Sequence, residues 1–110
     1  LNIHPSLLPA FPGLDPHGQA LRAGAKISGA TVHLVIAETD AGPILMQGAV
    51  AVRDDDTPDT LATRILQIEH RIYPEALRIL GNGLVRLEGG ICKTAVNAGS
   101  GDILISPATT

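Results

Sequence analysis

The chain has 110 residues, the length of one small domain, and its composition of 45% hydrophobic and 17% charged residues is typical of a globular protein. A formal net charge of −3, without a Lys/Arg cluster and with only 2% aromatic residues, disfavours a nucleic-acid-binding surface. No apolar run approaches the ~20 residues that cross a membrane. The single cysteine, Cys92, cannot form an intrachain disulfide, which fits a reducing, cytoplasmic compartment.

The beginning of the chain has the pattern of a strand that ends in a polar cluster. Leu1-Asn2-Ile3-His4 places a hydrophobic residue directly before polar ones, so we expect the chain to be the second piece of a larger protein. Four prolines and one glycine in residues 4–16 exclude a regular helix or a central strand. This segment is therefore predicted to be a long structured loop, followed by a short helix over 16–23 that stops at Gly24.

Two strands and a long helix are predicted next. Residues 29–38 are rich in β-branched side chains and indicate a buried strand, and 44–53 alternate as a second strand. Thr57 followed by Pro58 is typical of a helix start. Apolar residues at 61, 65, 68 and 72 continue the helical spacing, and Pro74 is expected to kink or interrupt a helix that runs to about Leu80.

The last part of the chain indicates a small hairpin. Residues 84–88 alternate, Gly89-Gly90 supplies a turn, and 91–94 form the short partner strand. From about residue 95 the sequence is small, polar and Gly-rich, and we expect a loosely ordered tail to residue 110.

Three side chains could carry chemistry together. Asn2 and His4 are two residues apart at a strand end, so both point to the same face and could donate hydrogen bonds to one carbonyl-type oxygen, as an acyl-transfer site requires. Asp40 follows the predicted strand; it could orient His4 and favour the charged imidazolium, which is a good general acid. The alternative is that Asn2 and His4 satisfy backbone groups of the loop and that Asp40 only forms a turn.

The other ionisable residues carry weaker signals. Glu69 is a candidate substrate contact, and a plain surface charge is the alternative. His33 lies in a predicted strand and fits a buried structural histidine, whereas His17 is expected to be solvated, although a loop histidine can move onto a substrate. The acidic run 54–56 lacks the alternating ligand spacing of a calcium loop and is interpreted as a solvated turn. The sequence also offers no zinc-type arrangement, so no metal is expected.

Three ordered blocks give the sequence a family resemblance that covers roughly residues 1–80. The string from Asn2 to Pro9 resembles the signature of the folate-dependent formyltransferases, and residues 29–33 and 40–44 match two further blocks of that family in order and spacing. The segments 11–21 and 69–74 are most similar to family members that act on glycinamide ribonucleotide. Deformylases of the family usually have a different residue in place of Pro5.

The resemblance implies an α/β fold, specifically the C-terminal half of a formyltransferase-type nucleotide-binding fold with a mixed β-sheet and one long helix. It implies transfer of a formyl group from the co-substrate 10-formyltetrahydrofolate to the amine of glycinamide ribonucleotide in purine biosynthesis, without a covalent enzyme intermediate or a metal. Asn2 and protonated His4 would stabilise the oxyanion, Asp40 would hold His4 and help to move a proton, and Glu69 would bind the ribonucleotide. The pteridine pocket would be lined by Ile36, Ala37, Glu38, Thr39 and Asp40.

The resemblance also implies what the 110 residues lack. The family's N-terminal half, with its glycine-rich phosphate loop, is absent, so residues 1–110 are expected to be the C-terminal catalytic part of a domain and to be inactive alone. Leu66 stands where family members can carry a polar substrate contact. Two alternatives stay open: a 10-formyltetrahydrofolate deformylase, which is a hydrolase, and a non-catalytic binding module. A homodimer is a further open expectation; nucleic-acid and membrane partners are not expected.

Overall fold

The computed structural model describes residues 1–95 and Ser106, so most of the predicted tail lies outside the described residues. Strands and helices follow one another in an α/β order with one long helix, as predicted. The elements are β1 (Asn2–His4), α1 (Pro16–Arg22), β2 (Ile27–His33), β3 (Ile44–Ala51), α2 (Pro58–Gly81), β4 (Val85–Glu88) and β5 (Ile91–Thr94).

The main sheet has three strands in the order β1-β2-β3, and β2 lies in the centre. Both pairs in this sheet are antiparallel, so the parallel pairs of a mixed sheet are not among those described. His4 is paired with Thr31, and Thr31 is paired with Gln47 on the other side. Since directly paired residues point to the same face of a sheet, these three polar side chains form one row across it.

Strand β2 ends earlier than the sequence predicts. The predicted range was 29–38, but the strand ends at His33, and Val35 and Ile36 are exposed. The pairing with β3 is irregular between Val32 and His33, and after Leu34 donates its N–H to the Pro43 carbonyl the chain leaves the sheet. The β-branched side chains that suggested a longer strand have no partner strand to pair with, and β propensity alone does not extend a strand.

Helix α2 begins where the sequence predicts and passes through its proline. Thr57 is the N-cap, forms a capping box with Thr60, and is followed by Pro58. The helix is continuous to Gly81, so the expectation that Pro74 could interrupt it is wrong. Pro74 is exposed, and Ala76 and Ile79 of the following turns are buried against the sheet. This packing compensates for the backbone hydrogen bond that a proline removes.

Helix α2 covers the apolar face of the main sheet, and two buried clusters lie between them. One contains Ala20, Ala30, Leu61 and Ile65, and the other contains Val32, Leu45, Ala76 and Ile79. The predicted β4–β5 hairpin is confirmed, with Val85 and Cys92 packed against the second cluster. Within the residues that the structure describes, neither helix is long and apolar enough to cross a membrane. The opposite, polar face of the sheet contacts the loop that follows β1.

Candidate active site

The proline-rich loop, residues 5–15 between β1 and α1, lies on the polar face of the main sheet and is fixed there by Thr31. The Thr31 hydroxyl donates to the Ser6 carbonyl at 2.8 Å and accepts from the Leu8 N–H at 3.0 Å. Gln47 donates its amide hydrogens to Thr31 Oγ1 at 2.9 Å and to the Leu8 carbonyl at 3.0 Å. A hydroxyl with three partners is fully satisfied although Thr31 is completely buried. Strands β2 and β3 therefore set the position of the loop.

His4 lies between this loop and the residues after β2. Its Nε2 is 2.9 Å from the Phe11 carbonyl, which can only accept a hydrogen bond, so Nε2 carries a proton. Ser6 donates to the carbonyls of Ala10 and Phe11 and holds that stretch of backbone. His4 Nδ1 lies 3.4 Å from Asp40 Oδ2, and both side chains are 9% exposed. An acceptor thus lies near each ring nitrogen, the Phe11 carbonyl at Nε2 and the Asp40 carboxylate at Nδ1.

Asp40 links His4 to the loop and to a second histidine. Its backbone has φ of 53°, a left-handed conformation that Asp tolerates better than most residues. Oδ2 accepts the Gly13 N–H at 2.9 Å, and Oδ1 lies 3.8 Å from His33 Nε2. The 3.4 Å distance agrees with the predicted proximity of Asp40 and His4, and the catalytic role of the two side chains stays a prediction. Its carboxylate is therefore flanked by two imidazoles and anchored by one backbone amide.

His33 is buried, as the sequence predicts, and its ring also lies close to the Asp40 carboxylate. Its Nδ1 is 3.1 Å from the Leu34 carbonyl, which assigns the proton to Nδ1. Among the described residues, Nε2 has no partner at hydrogen-bond distance and faces the Asp40 carboxylate. The sequence interpretation missed this proximity, because nothing in a single sequence shows that the chain turns back after Leu34.

A pocket lies next to His4, between strand β1 and helix α2. It has a volume of about 470 Å³ and is lined by Asn2, Ile3, Leu66, Glu69, His70, Tyr73 and Pro74. Two predicted site residues, Asn2 and Glu69, thus meet in one pocket. Asn2 is exposed there, whereas His4 on the same strand is buried under the loop. Burial raises the pKa of Glu69, and the nearby His70 and His4 partly oppose that effect.

The predicted pteridine-binding stretch lies on the outside of the described structure. Residues 36–39 are exposed and lead into Asp40, and they are not among those that line the 470 Å³ pocket.

His17 differs from the expectation of a solvated side chain. It is half-buried, its Nε2 has no hydrogen-bond partner in the described part of the chain, and burial lowers its pKa while Asp15 acts in the opposite direction.

The acidic run 54–56 is not uniformly a solvated turn. Asp54 and Asp55 are exposed, but the Asp56 side chain is only 2% exposed. Its two carboxylate oxygens accept hydrogen bonds from the two terminal guanidinium nitrogens of Arg64. Asp56 also accepts the Arg53 N–H and the Thr60 hydroxyl. The sequence did contain a signal for this pair. Asp56 lies directly before the predicted helix start, and Arg64 follows eight residues later. In the residues described, no group of three or more His, Cys, Asp or Glu side chains could hold a metal ion.

Comparison with known proteins matches the sequence and the fold to one family. The model of the Formyl transferase family matches residues 1–77. The chain is 50% identical over 94 residues to the bovine (Bos taurus) trifunctional purine biosynthetic protein adenosine-3, covering 84% of this chain and 9% of that protein. It is 51% identical over 80 residues to phosphoribosylglycinamide formyltransferase of Bacillus subtilis, covering 73% of this chain and 41% of the relative.

Solved structures agree with this assignment. Phosphoribosylglycinamide formyltransferase from Anaplasma phagocytophilum superposes with a TM-score of 0.85 at 45% identity, over 89% of this chain and 48% of that one. The chain therefore spans about half or less of the length of the relatives that it matches. The match of residues 1–77, the identity of about one half and the shared fold together show that the chain belongs to the formyl transferase family.

Proposed function

We propose that this chain supplies the proton-transfer half of an enzyme that moves a formyl group from 10-formyltetrahydrofolate to the amine of glycinamide ribonucleotide. The observation that carries the proposal is the Asp40–His4 pair, 3.4 Å apart with each side chain 9% exposed, beside a pocket that contains Asn2 and Glu69. The relatives named phosphoribosylglycinamide formyltransferase support the choice of substrates. A role in purine synthesis also fits a cytoplasmic protein.

The reaction begins when the amine attacks the formyl carbon and the carbonyl electrons move onto oxygen. Asn2 has an amide N–H at the pocket, and in this proposal His4 carries a proton on both ring nitrogens. His4 Nε2 now donates to the Phe11 carbonyl, so a substrate oxygen would have to replace that carbonyl to receive this proton. In this proposal the loop shifts when substrate binds, and two donors then stabilise the oxyanion.

Asp40 is assigned the task of keeping His4 charged and oriented. The carboxylate accepts the Gly13 N–H, so in this proposal the shift is confined to the Phe11 carbonyl and leaves the contacts of Asp40 with Gly13 and His4 Nδ1 in place. The proton lost by the attacking amine passes through a water held by Asp40 to the folate nitrogen, which leaves as an amine. His33 Nε2 lies 3.8 Å from the other carboxylate oxygen, so the buried ring would limit the space in which the Asp40 side chain can rotate.

The substrates would occupy two sides of this cluster. Glycinamide ribonucleotide would enter the 470 Å³ pocket and bind Glu69, a carboxylate that can accept two hydroxyl groups. The folate would lie against the backbone of residues 36–40. Leu66 offers no polar contact at the pocket, so the phosphate and part of the ribose would depend on the N-terminal half of the enzyme. Residues 1–110 alone would accordingly be inactive.

The test is an activity assay in which residues 1–110 are combined with the N-terminal half of a relative. The chain is assayed alone and together with the N-terminal segment of the Bacillus subtilis relative, either as a separate polypeptide or as a fusion. We expect folate-dependent formylation of glycinamide ribonucleotide only in the complemented samples. A fusion that unfolds cooperatively but binds neither substrate by calorimetry would contradict the proposal. Binding of both substrates by residues 1–110 alone would contradict the requirement for a second half.

A second candidate function is hydrolysis of 10-formyltetrahydrofolate, in which water takes the place of the amine. A formyltetrahydrofolate deformylase from Pseudomonas syringae superposes with a TM-score of 0.81 at 34% identity, over 84% of this chain and 31% of that one. The complemented protein is incubated with the folate, with and without the ribonucleotide, and formate is measured. Formate release that does not need the amine would favour the hydrolase; formylated product without formate favours the transferase. Binding of the folate without either product would favour a binding module.

A further inference from the structure

Gln19 lies on helix α1, and its side chain folds back over the proline-rich loop. Its Nε2 donates one hydrogen bond to the Pro12 carbonyl at 3.0 Å and another to the Leu14 carbonyl at 2.7 Å. Only the amide nitrogen can face two carbonyl oxygens, because the amide oxygen has no proton to donate. Both hydrogens of the amide are thus used on the residues that flank Gly13.

Gly13 connects the Gln19 hydrogen bonds to the candidate active site. Its own N–H is donated to Asp40 Oδ2 at 2.9 Å. Its φ of 81° lies in the left-handed region, which a glycine adopts without strain, and other residues rarely do. The Pro12 carbonyl and the Gly13 N–H belong to the same peptide group, so the Gln19 hydrogen bond to Pro12 fixes the direction of this N–H. The second hydrogen bond holds the Leu14–Asp15 peptide group, one residue further along the loop.

The atom that receives the Gly13 N–H is also the atom that faces His4. Asp40 Oδ2 lies 3.4 Å from His4 Nδ1, so one oxygen is shared between a backbone amide and the imidazole. A carboxylate without the Gly13 contact could rotate and withdraw this oxygen. We propose that Gln19 is a positioning residue, which fixes the Gly13 N–H and through it the Asp40 carboxylate in register with His4.

The first turn of α1 gives Gln19 a stable base for this task. The Asp15 side chain accepts the Gly18 N–H, and the Asp15 carbonyl accepts the Gln19 N–H at 3.0 Å. The helix itself is anchored by Ala20, which is completely buried in the first core cluster. Gln19 therefore reaches the loop from a fixed point, although its hydrogen bonds to the loop are exposed to solvent. The role in catalysis rests on the proposed function, whereas the positioning of Gly13 does not.

The first experiment measures the Gly13 amide by NMR in the 110-residue chain, with no substrate. Gln19→Glu places acceptors against the two carbonyls, and Gln19→Leu removes the donors without adding charge. Gln19→Lys keeps a donor group with similar reach. We expect hydrogen exchange at Gly13 to become about fivefold to tenfold faster in the Glu and Leu variants, equivalent to one lost hydrogen bond, and to stay close to the parent in the Lys variant.

Matched controls use Gln67, an exposed glutamine on α2 outside the pocket lining. Gln67→Glu and Gln67→Lys reproduce the charge changes and should leave Gly13 exchange unchanged. A second readout separates positioning from general stability: Asp40→Asn should shift the Gly13 amide resonance in the parent and shift it much less when Gln19→Glu is already present. Unchanged exchange in both the Glu and Leu variants, or an equal Asp40→Asn response in both backgrounds, would overturn the proposal.

The second experiment measures formyl transfer in the complemented enzyme. Gln19→Glu and Gln19→Leu should lower kcat about fivefold to tenfold with little change in KM for the ribonucleotide, because Gln19 does not touch the pocket. Gln19→Lys should recover most of the kcat. If the parent shows no formyl transfer, the proposed function fails, and the Gly13 exchange data still decide the role of Gln19. A fall in kcat that Gln19→Lys does not rescue would count against a donor role.

Discussion

His4 Nδ1 and Asp40 Oδ2 lie 3.4 Å apart, with each side chain 9% exposed. Both partners are additionally held by the same loop, His4 through the Phe11 carbonyl and Asp40 through the Gly13 N–H. A buried carboxylate is favourable only if charge and hydrogen bonds compensate for lost hydration, and this arrangement provides both. The loop is therefore part of the site and does not merely cover it.

Replacing Asp40 by Asn tests this pair. The amide can still accept the Gly13 N–H, so the fold should persist, but it carries no charge to hold the imidazolium. We expect kcat for formyl transfer in the complemented enzyme to fall about 10²-fold to 10⁴-fold, the range of a lost acid–base function. Asp55→Asn removes an exposed carboxylate and should leave kcat unchanged. Normal turnover by Asp40→Asn would sink the mechanism proposed for His4.

Glu69 offers a test that links stability to pH. Burial raises its pKa from the ordinary 4.5, so the folded chain holds this proton more tightly than the unfolded chain does. Stability is then greatest below the ordinary pKa and decreases as pH rises through the interval up to the folded pKa. Glu69→Gln should therefore raise the free energy of unfolding at pH 7 and change it little at pH 4, as urea denaturation would measure.

The same substitution should weaken the function. Gln cannot accept two hydroxyl protons as a carboxylate can, so we expect a higher KM for glycinamide ribonucleotide and a smaller change in kcat. A gain in stability combined with a loss of substrate affinity is the expected signature of a group retained for binding. Glu75→Gln, on the same helix and paired with Arg78, is the control and should not change KM. An unchanged KM in Glu69→Gln would indicate a plain surface charge.

Much of the fold could be predicted from local sequence, because the signals were local. Thr57-Pro58 indicates a helix start wherever it occurs, and Gly89-Gly90 between alternating segments indicates a hairpin. The end of β2 could not be predicted in this way. Val35 and Ile36 favour β structure locally, but a strand needs a partner, and the partner begins only at Ile44.

The candidate site was predicted unevenly for the same reason. Asn2, His4 and Asp40 were selected from their spacing and position and then supported by a family resemblance, and the structure places His4 and Asp40 together. Gly13 was not identified as a contact of Asp40, and Gln19 was not identified as a contact of the loop around Gly13, because both relations depend on how the loop closes over the sheet. Contacts between residues far apart in sequence are set by tertiary structure, and a single sequence does not contain a local signal for them.

Thr31 is expected to be the main anchor of the loop. Thr31→Val keeps the shape of the side chain but leaves the Leu8 N–H, one Gln47 N–H and the Ser6 carbonyl without this partner. Because buried groups without partners are costly, the free energy of unfolding should fall by about 2–3 kcal/mol in urea denaturation. Thr63→Val is the control, since Thr63 is exposed and bonds only within its helix. Equal, small effects in the two variants would show that the hydroxyl does not hold the loop.

The Asp56–Arg64 ion pair joins the end of β3 to helix α2, because Arg64 also donates to the Ala51 carbonyl. The Arg64 hydrogen bond lowers the pKa of Asp56 well below its ordinary value of 3.8, more than burial raises it. A lowered carboxyl pKa contributes stability above the ordinary value, and this contribution is lost as pH falls towards the folded pKa. Asp56→Asn should thus destabilise the chain by about 2–4 kcal/mol at pH 7, with a smaller difference at pH 3.

Asp54→Asn is the matched control for this prediction, because Asp54 lies in the same turn and its side chain is 94% exposed. Its pair with Lys26 is a surface ion pair, which contributes at most about 1 kcal/mol. The two variants therefore remove the same charge from the same turn and differ only in burial and partner. If urea denaturation gave them equal effects at pH 7, the buried pair would not be what fixes the start of α2. If the Asp56→Asn effect did not shrink on acidification, its cause would be packing and not the carboxylate charge.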